Sequence, residues 1–316
     1  MSLIYKKLRQ FKASYQFSVL TPTFNRAHTL GRAYESLVKQ TYQCFEWVIV
    51  DDGSTDNTAQ LVRQWQKEAT FPIVYQWQEN QHKKAAFNHG VRQAKGELIV
   101  VLDSDDTLLP NALSEMLQVW WAIPKAKRQQ FVGVTGLCQT PDGHVVGDLF
   151  PYDRFEANAL DLFFKYQVRG EKFGCLNRSV LLRFPFPEYP GFVPESLVWR
   201  SIARAGYVHC FVNKVFRVYY PSTDSLSQQG KQTNQHAFGL WLLAQDTLAK
   251  CMPWYHDAPK EFFYAAIRYV RFWLHVHQLK VQTPCAVLPL SFKAKVLIAL
   301  MAPLGGVLFL RDRWLR

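Results

Sequence analysis

The sequence predicts an α/β protein with a mainly parallel central sheet and a helical C-terminal extension. Three observations carry this. Between residues 17 and 102 short apolar strands alternate with segments of helical periodicity, the pattern of a parallel sheet covered by helices. Strands such as residues 98–102 (LIVVL) are apolar throughout, which fits burial on both faces. Beyond about residue 225 the pattern is helical only.

The elements follow in order. Residues 17–21 (FSVLT) form a short buried strand that Pro22 and Asn25 end. Leu30, Ala33, Tyr34, Leu37 and Val38 recur at helical spacing over residues 29–40. Residues 45–50 (FEWVIV) form a second strand, ending in the turn signal Asp51-Asp52-Gly53-Ser54. Asp56 and Thr58 then lead into a helix through Trp65. A third strand spans 73–77, a helix 84–95 stops at Gly96, and the fourth strand, 98–102, runs into Asp103-Ser104-Asp105-Asp106. In such sheets ligands bind beyond the carboxyl ends of the strands. Three polar loops fall there, residues 22–26, 51–56 and 103–106, two of them dense in carboxylates. Farther on, residues 131–150 read as strands around a Pro141-Asp142-Gly143 turn, and 151–200 as short helices and loops. A helix is expected over 196–205, one long strand or a strand pair over 210–220, and helices over 237–252 and 259–279.

Composition narrows the class. Of 316 residues 48% are apolar and 20% charged, which excludes a disordered chain. Six cysteines without a C-x-x-C pair give no zinc site and no disulfide framework, and read as reduced thiols of a cytosolic protein. The net charge of +12 is uneven: residues 1–150 carry 16 Lys and Arg against 14 Asp and Glu, residues 151–316 carry 21 against 11. That excess points to an anionic partner such as nucleic acid, acidic lipid or a phosphorylated substrate. No nucleic-acid-binding motif accompanies it. The basic start, MSLIYKKLRQFKASYQ, lacks the apolar run of a signal peptide.

Three carboxylates in four residues after a buried strand repel one another unless a cation joins them. Oxygen donors of this kind suit Mg2+ or Mn2+, which substrate phosphates and water commonly complete. The same residues also suit the cap of the helix that begins near Pro110 and Ala112. The 51–56 loop has the same two readings: a ligand loop with Gly53 at a close backbone approach, or acids favoured at a helix start.

The segments VLTPTFNRAHTLGRAYESLVKQTYQCFEWVIVDDGSTDNT and NHGVRQAKGELIVVLDSDDTLLPNAL resemble family 2 glycosyltransferases, continuously over roughly residues 17–120. The resemblance implies a glycosyltransferase A fold, a nucleotide-sugar donor (most often a UDP-sugar), a divalent metal, Mn2+ or Mg2+, and inversion at the anomeric carbon. It implies that Asp51 and Asp52 hold the base and neighbouring ribose, that Thr21 and Pro22 form part of the base pocket, and that Asp103-Ser104-Asp105 is the DxD motif. Asp103 would face the ribose, Asp105 would bind the metal, and Asp106 would assist. Residues 80–88 align with the N-G-G-K-H-T-A-x-N loop of some relatives. Lys83 falls on the motif lysine, as a phosphate contact, whereas Gln81 and His82 replace the two glycines. RGEKFGCLNRSVL and FPFPEYPGFVPESLVWRSIARAGY extend the resemblance more weakly over 169–220. Where relatives carry an acidic Glu-Asp pair this chain has Glu195-Ser196, so Glu195 is the expected base. Glu171 and Lys172 are expected to be a structural or acceptor-side pair.

Residues 296–310 (VLIALMAPLGGVLFL) carry no charge, with Lys293 and Lys295 before them and Arg311, Arg313 and Arg316 after. A helix needs about 20 residues to span a bilayer, and Pro303, Gly305 and Gly306 are expected to break this run. Basic flanks at both ends favour the cytoplasmic side. The run therefore reads as an interfacial or re-entrant element meeting anionic lipid of the inner leaflet, or else as a helix packed on the domain.

The expectation is an inverting, metal-dependent glycosyltransferase attached peripherally to the cytoplasmic membrane. Its catalytic domain would span 1–225, and a helical extension 226–316 would carry the tail at about 291–316. The acceptor would be a saccharide or a lipid-linked saccharide in cell-surface glycan synthesis. The alternatives are a nucleotidyltransferase, which would carry a glycine-rich phosphate loop after the first strand, and a non-catalytic nucleotide-sugar-binding relative, which would lack the base or the metal aspartate.

Overall fold

The computed structural model describes residues 15–189, 191–221, 236–278 and 287–314. Contacts divide the chain into two compact units that interleave in sequence. The first is Met1–Glu156, Gly170–Phe186 and Tyr207–Tyr220; the second is Ala157–Arg169, Pro187–Gly206 and Pro221–Arg316. The boundary expected between residues 225 and 226 lies outside the described residues.

The first unit is a nine-stranded sheet with its helices. Strands β1 (Phe17–Thr23), β2 (Phe45–Asp51), β3 (Ile73–Trp77) and β4 (Leu98–Val101) stand in the order β3-β2-β1-β4, all parallel. Helices α1 (Ala27–Val38), α2 (Thr58–Glu68) and α3 (His82–Gln93) connect them, as the alternating sequence predicts. Register aligns the carboxyl ends: Thr23 pairs with Asp51, and Asp51 with Trp77. The loops at 22–26, 51–56 and 78–81 therefore emerge from one edge of the sheet. β1 and β2 are buried along their whole length. The buried Glu46 is held by the Ser18 hydroxyl at 2.6 Å and the Lys95 backbone N–H at 2.6 Å, partners that a buried carboxylate requires. On one face Tyr34 of α1 stacks on Trp65 of α2 at 4.5 Å, beside Trp47.

The rest of this sheet is mixed. β8 (Lys172–Asn177) runs antiparallel to β4, β6 (Phe131–Gln139) antiparallel to β8, and β9 (Val208–Val218) parallel to β6. The short β5 (Thr107–Leu108) pairs with β9, as does β7 (Arg154–Ala157). Thus 210–220 belongs to one long strand, with register shifts against β6. After the turn at 141–143 the strand expected to return to residue 150 is only an isolated bridge, Gln139 with Val145. Between β4 and β6 comes α4 (Ala112–Trp121), and after β8 comes α6 (Arg178–Arg183).

The second unit is helical: α5 (Ala159–Phe164), α7 (Ser196–Arg204), α8 (Ala237–Lys250), α9 (Pro259–Gln278) and α10 (Phe292–Trp314). Phe164, Leu248, Phe262, Ala266 and Leu297 form its core. The break expected at Pro303, Gly305 and Gly306 does not occur, since α10 is continuous for 23 residues. An interior proline costs about 3 kcal/mol in an unsupported helix, but α10 is supported along α9. At Gly305 a side chain would meet Val270 Cβ at 2.7 Å, so the glycine permits close helix contact instead of ending the helix. Arg271 and His275 of α9 also bond Asp312 of α10, at 2.6 and 3.1 Å. Away from α9, Val296, Leu300, Leu304, Val307 and Leu310 are all exposed. Their spacing of three or four residues makes them one apolar stripe.

Candidate functional site

The three loops at the carboxyl edge are stitched together by their own polar groups. Asn25, at φ 52, accepts the Thr55 N–H on Oδ1 at 2.8 Å, and its N–H donates to the Ser54 hydroxyl at 2.8 Å. Asp56 Oδ2 accepts the Ala27 N–H at the start of α1, and Oδ1 accepts from Thr58. Burial pushes the Asp56 carboxyl up, but these hydrogen bonds outweigh it and leave it below the usual range. Gly53, at φ 89, lies where a side chain would meet the Asn80 backbone nitrogen at 3.0 Å, which draws the 78–81 loop against the 51–56 loop.

Asp51 and Asp52 are both held from this neighbouring loop and strand. Asp51 is fully buried; its Oδ1 accepts the Ser54 N–H at 2.8 Å and its Oδ2 the Tyr75 hydroxyl at 2.5 Å. Burial, with the Asp51 hydrogen bond and charge, raises the Tyr75 phenol well above its ordinary range, so it remains a donor. Asp52 Oδ1 accepts from Gln78 Nε2 at 2.7 Å and the Gln81 N–H at 2.9 Å, and Gln78 Oε1 meets His89 Nδ1 at 2.8 Å. Thr21 is buried with its hydroxyl taken by Trp47 Nε1 at 2.9 Å, and Pro22 is buried beside it. Thr21 and Asp51 thus lie beneath the loop surface. His82, in place of the second motif glycine, still adopts the left-handed conformation, φ 70. Holding that conformation costs about 1 kcal/mol that glycine would not incur.

The carboxylate loop has two cationic contacts. Lys83 Nζ, at the start of α3, lies 2.7 Å from Asp103 Oδ1. Arg217 of β9 lies 3.1 Å from Asp106, 3.7 Å from Asp103 and 3.2 Å from Glu171. Asp106 also accepts the Tyr220 N–H at 2.9 Å. Burial raises the Asp103 carboxyl, but Lys83 and Arg217 more than reverse this and hold it low. Asp106 is pushed up to about 7 by burial, with Arg217 and the Tyr220 hydrogen bond opposing.

Asp105 differs from both. It is half-buried and has no ion-pair partner among the described residues. Burial and the adjacent Asp103 charge push its carboxyl up. A carboxylate in that position gains from an added cation, so the donor set fits an oxygen-seeking divalent ion. Among the described residues no three His, Cys, Asp or Glu side chains form a preformed metal cage. Protein ligation would then rest on one or two carboxylates, which suits ions that keep water and substrate oxygens.

The first unit thus brings together Thr21, Pro22, Asp51, Asp52, Lys83, Asp103 and Asp105 around one sheet edge. Glu195 is exposed immediately before α7 in the second unit. Sequence reasoning missed Tyr75, Gln78, His89 and Arg217. Arg217 left one trace, a single charge inside the apolar run Val215-Phe216-Arg217-Val218. Asn88 is a scaffold residue: its amide bonds Phe186 N–H and C=O at 2.9 and 2.8 Å.

Comparison with known proteins agrees with this architecture. The model of glycosyl transferase family 2 matches residues 18–175. A Campylobacter jejuni protein, GalNAc(5)-diNAcBac-PP-undecaprenol beta-1,3-glucosyltransferase, is 30% identical over 211 residues, 65% of this chain and 64% of its own. The chain spans 33% to 64% of the lengths of the first curated relatives it matches. Among solved structures, Staphylococcus aureus TarS 1–349 in complex with UDP-GlcNAc shares the fold at TM-score 0.58 and 18% identity, over 90% of this chain and 79% of that one. The mannosyltransferase PcManGT of Pyrobaculum calidifontis, in complex with GDP-Man and Mn2+, does so at 0.55 and 18%, over 98% and 90%.

Proposed function

Because this chain belongs to glycosyl transferase family 2, we propose that it transfers a hexosyl or N-acetylhexosaminyl group from a nucleotide sugar, a UDP-sugar in the first instance, to a saccharide or lipid-linked acceptor in cell-surface glycan synthesis. The observation that carries this reading is Asp105, a carboxylate without an ion-pair partner among the described residues, between two that have one, beyond the end of a parallel strand. The named activities of the relatives, glucosyl and mannosyl transfer, support it.

In this reading the base and ribose lie against the Asp51–Asp52 turn, with Thr21 and Pro22 shaping the pocket from beneath and Asp103 towards the ribose. Asp105 would hold Mn2+ or Mg2+, with Asp103 beside it. When bound, such an ion supplies positive charge to the leaving diphosphate. Lys83, whose side chain is 35% exposed, can exchange Asp103 for a donor phosphate. Glu195 takes the proton of the acceptor hydroxyl. The oxygen so freed forms its bond to the anomeric carbon as the carbon–oxygen bond to the diphosphate breaks, and the electron pair leaves with the diphosphate. A single displacement of this kind inverts the anomeric centre.

The same reading attaches the protein peripherally to the cytoplasmic membrane face. Helix α10 is long and apolar enough to cross a bilayer by length and composition. Its inner face, however, lies along α9, which carries Arg268, Arg271, His275 and His277. A helix paired with an amphipathic one that carries these charges is better suited to lie in the interface, with its apolar stripe among lipid tails and Lys293, Lys295, Arg311 and Arg313 at anionic headgroups.

The test is a donor screen with purified protein, Mn2+ and a panel of nucleotide sugars, run beside Glu195→Gln. Donor turnover is expected for the wild type. The variant, nearly isosteric but unable to accept the proton, should lose about 10²–10⁴-fold in transfer with donor binding retained. Transfer within a few-fold of wild type would remove Glu195 from the role.

A further inference from the structure

The carboxylate loop is crowded with negative charge before any ligand arrives. Asp103, Asp105 and Asp106 stand within four residues, and Glu171 joins them through Arg217 from the start of β8. Arg217 is 6% exposed at its side chain, with the rings of Phe173 and Tyr219 at 4.9 and 5.6 Å. Its two terminal nitrogens serve three carboxylates, whereas its buried Nε has no hydrogen-bond partner among the described residues. A well-packed structural arginine would satisfy all its donors. This one is oriented to serve acids on two separate segments, at the expense of its own Nε. Burial of the pair Arg217 and Asp106 also keeps their interaction from being screened by salt.

We infer that Arg217 is the positioning residue of the carboxylate loop and its resident counter-cation, fixing Asp103 and Asp106 so that Asp105 is the carboxylate left to take a divalent ion. This rests on the metal-dependent reading above. The role has separate parts in charge and in shape. As charge, counting each acid as one unit, Arg217 and Lys83 bring the four carboxyl groups to a formal −2. Without Arg217 the cluster is −3, so a divalent ion is attracted more strongly but meets carboxylates that are no longer held in place. As shape, a guanidinium fork can bridge several carboxylates, and a lysine ammonium cannot do so in the same geometry.

The experiment is a calorimetric titration of the full chain with Mn2+ alone, for wild type, Arg217→Gln and Arg217→Lys, with kcat and KM measured in parallel on the donor found above. Arg217→Gln should bind Mn2+ about tenfold more tightly, because a nearby like charge has been removed, while kcat falls about tenfold or more. Arg217→Lys should bind Mn2+ within about twofold of wild type yet keep most of the kcat loss. A purely structural arginine would lower Tm in both variants and leave Mn2+ affinity of the folded protein unchanged, and that result overturns the inference. If Arg217→Gln does not fold, Arg217→Lys decides: a tenfold change in its Mn2+ affinity contradicts the charge argument. Wild type that neither binds Mn2+ nor turns over a donor would sink the metal-dependent reading alone. Arg217→Gln gaining Mn2+ binding in that background would still uphold Arg217's role, and no gain would end it.

Discussion

Two buried ionic clusters, one in each compact unit, use the same kinds of group in opposite proportions. In the first, one arginine, Arg217, meets three carboxylates, Asp103, Asp106 and Glu171. In the second, one carboxylate, Asp312, meets Arg271, His275 and, at 3.9 Å, the exposed Arg311. Charge balance separates their roles. Around Asp312 the hydrogen bonds from Arg271 and His275 overcome the burial that would raise its carboxyl and hold it low, so this cluster is complete as a clasp between α9 and α10. Around Arg217 burial prevails over its charge at Asp106, and Asp105 beside it has no ion-pair partner among the described residues. The Asp312 cluster is thus closed as a fastening, whereas the Arg217 cluster stands beside a carboxylate that has no ion-pair partner among the described residues.

The comparison can be broken most forcefully at Asp105. Asp105→Asn should reduce Mn2+-dependent transfer at least about 10³-fold, about 4 kcal/mol of barrier. Its metal-free thermal stability should stay level or rise, since a repelling charge has gone. A donor assay beside a melting curve checks both, and a large stability loss with transfer intact would make Asp105 a structural residue. At the second cluster the pattern should reverse. Asp312→Asn leaves Arg271 without its buried partner, so urea unfolding should show a loss of about 3 kcal/mol, with Mn2+ affinity and kcat per folded molecule unchanged. The smallest effect is expected on the outer face of α10. Leu300 is 62% exposed, so Leu300→Gln should barely alter stability. It should lower partition onto vesicles containing anionic lipid by about tenfold, the worth of roughly 1.5 kcal/mol of apolar burial. Vesicle flotation unchanged by this substitution would leave the apolar stripe without a role in lipid contact.

The parallel half of the sheet was legible because its signals are local. Strands such as Phe45–Asp51 are read from runs of adjacent residues, and α1 to α3 from spacings of three and four. The carboxylate loops were legible for the same reason, since each is a few consecutive residues. Arg217 was not, because its meaning lies in partners brought from distant segments; its neighbour Tyr220 bonds Asp106 across 114 residues of sequence. Nor could sequence tell that Thr21 turns its hydroxyl to Trp47 instead of outward. The helix at Pro303 was misjudged because propensity describes an isolated helix, whereas α10 is held by Asp312 and by the close contact at Gly305.

The sequence by itself determined the strand–helix alternation, the order of the loops at one sheet edge and the family to which residues 18–175 conform. Those properties depend on hydrophobic periodicity and on short runs of chemically distinctive residues, which near neighbours suffice to specify. The tertiary structure alone decided which carboxylates are paired with a cationic side chain and that Asp105 has no such partner among the described residues, that Asp51 is locked by Tyr75, and that α10 keeps one apolar face against α9 and another outside. Each of these is a matter of burial and long-range charge, and both are set by where the folded chain excludes water and which distant groups it brings within a few ångströms.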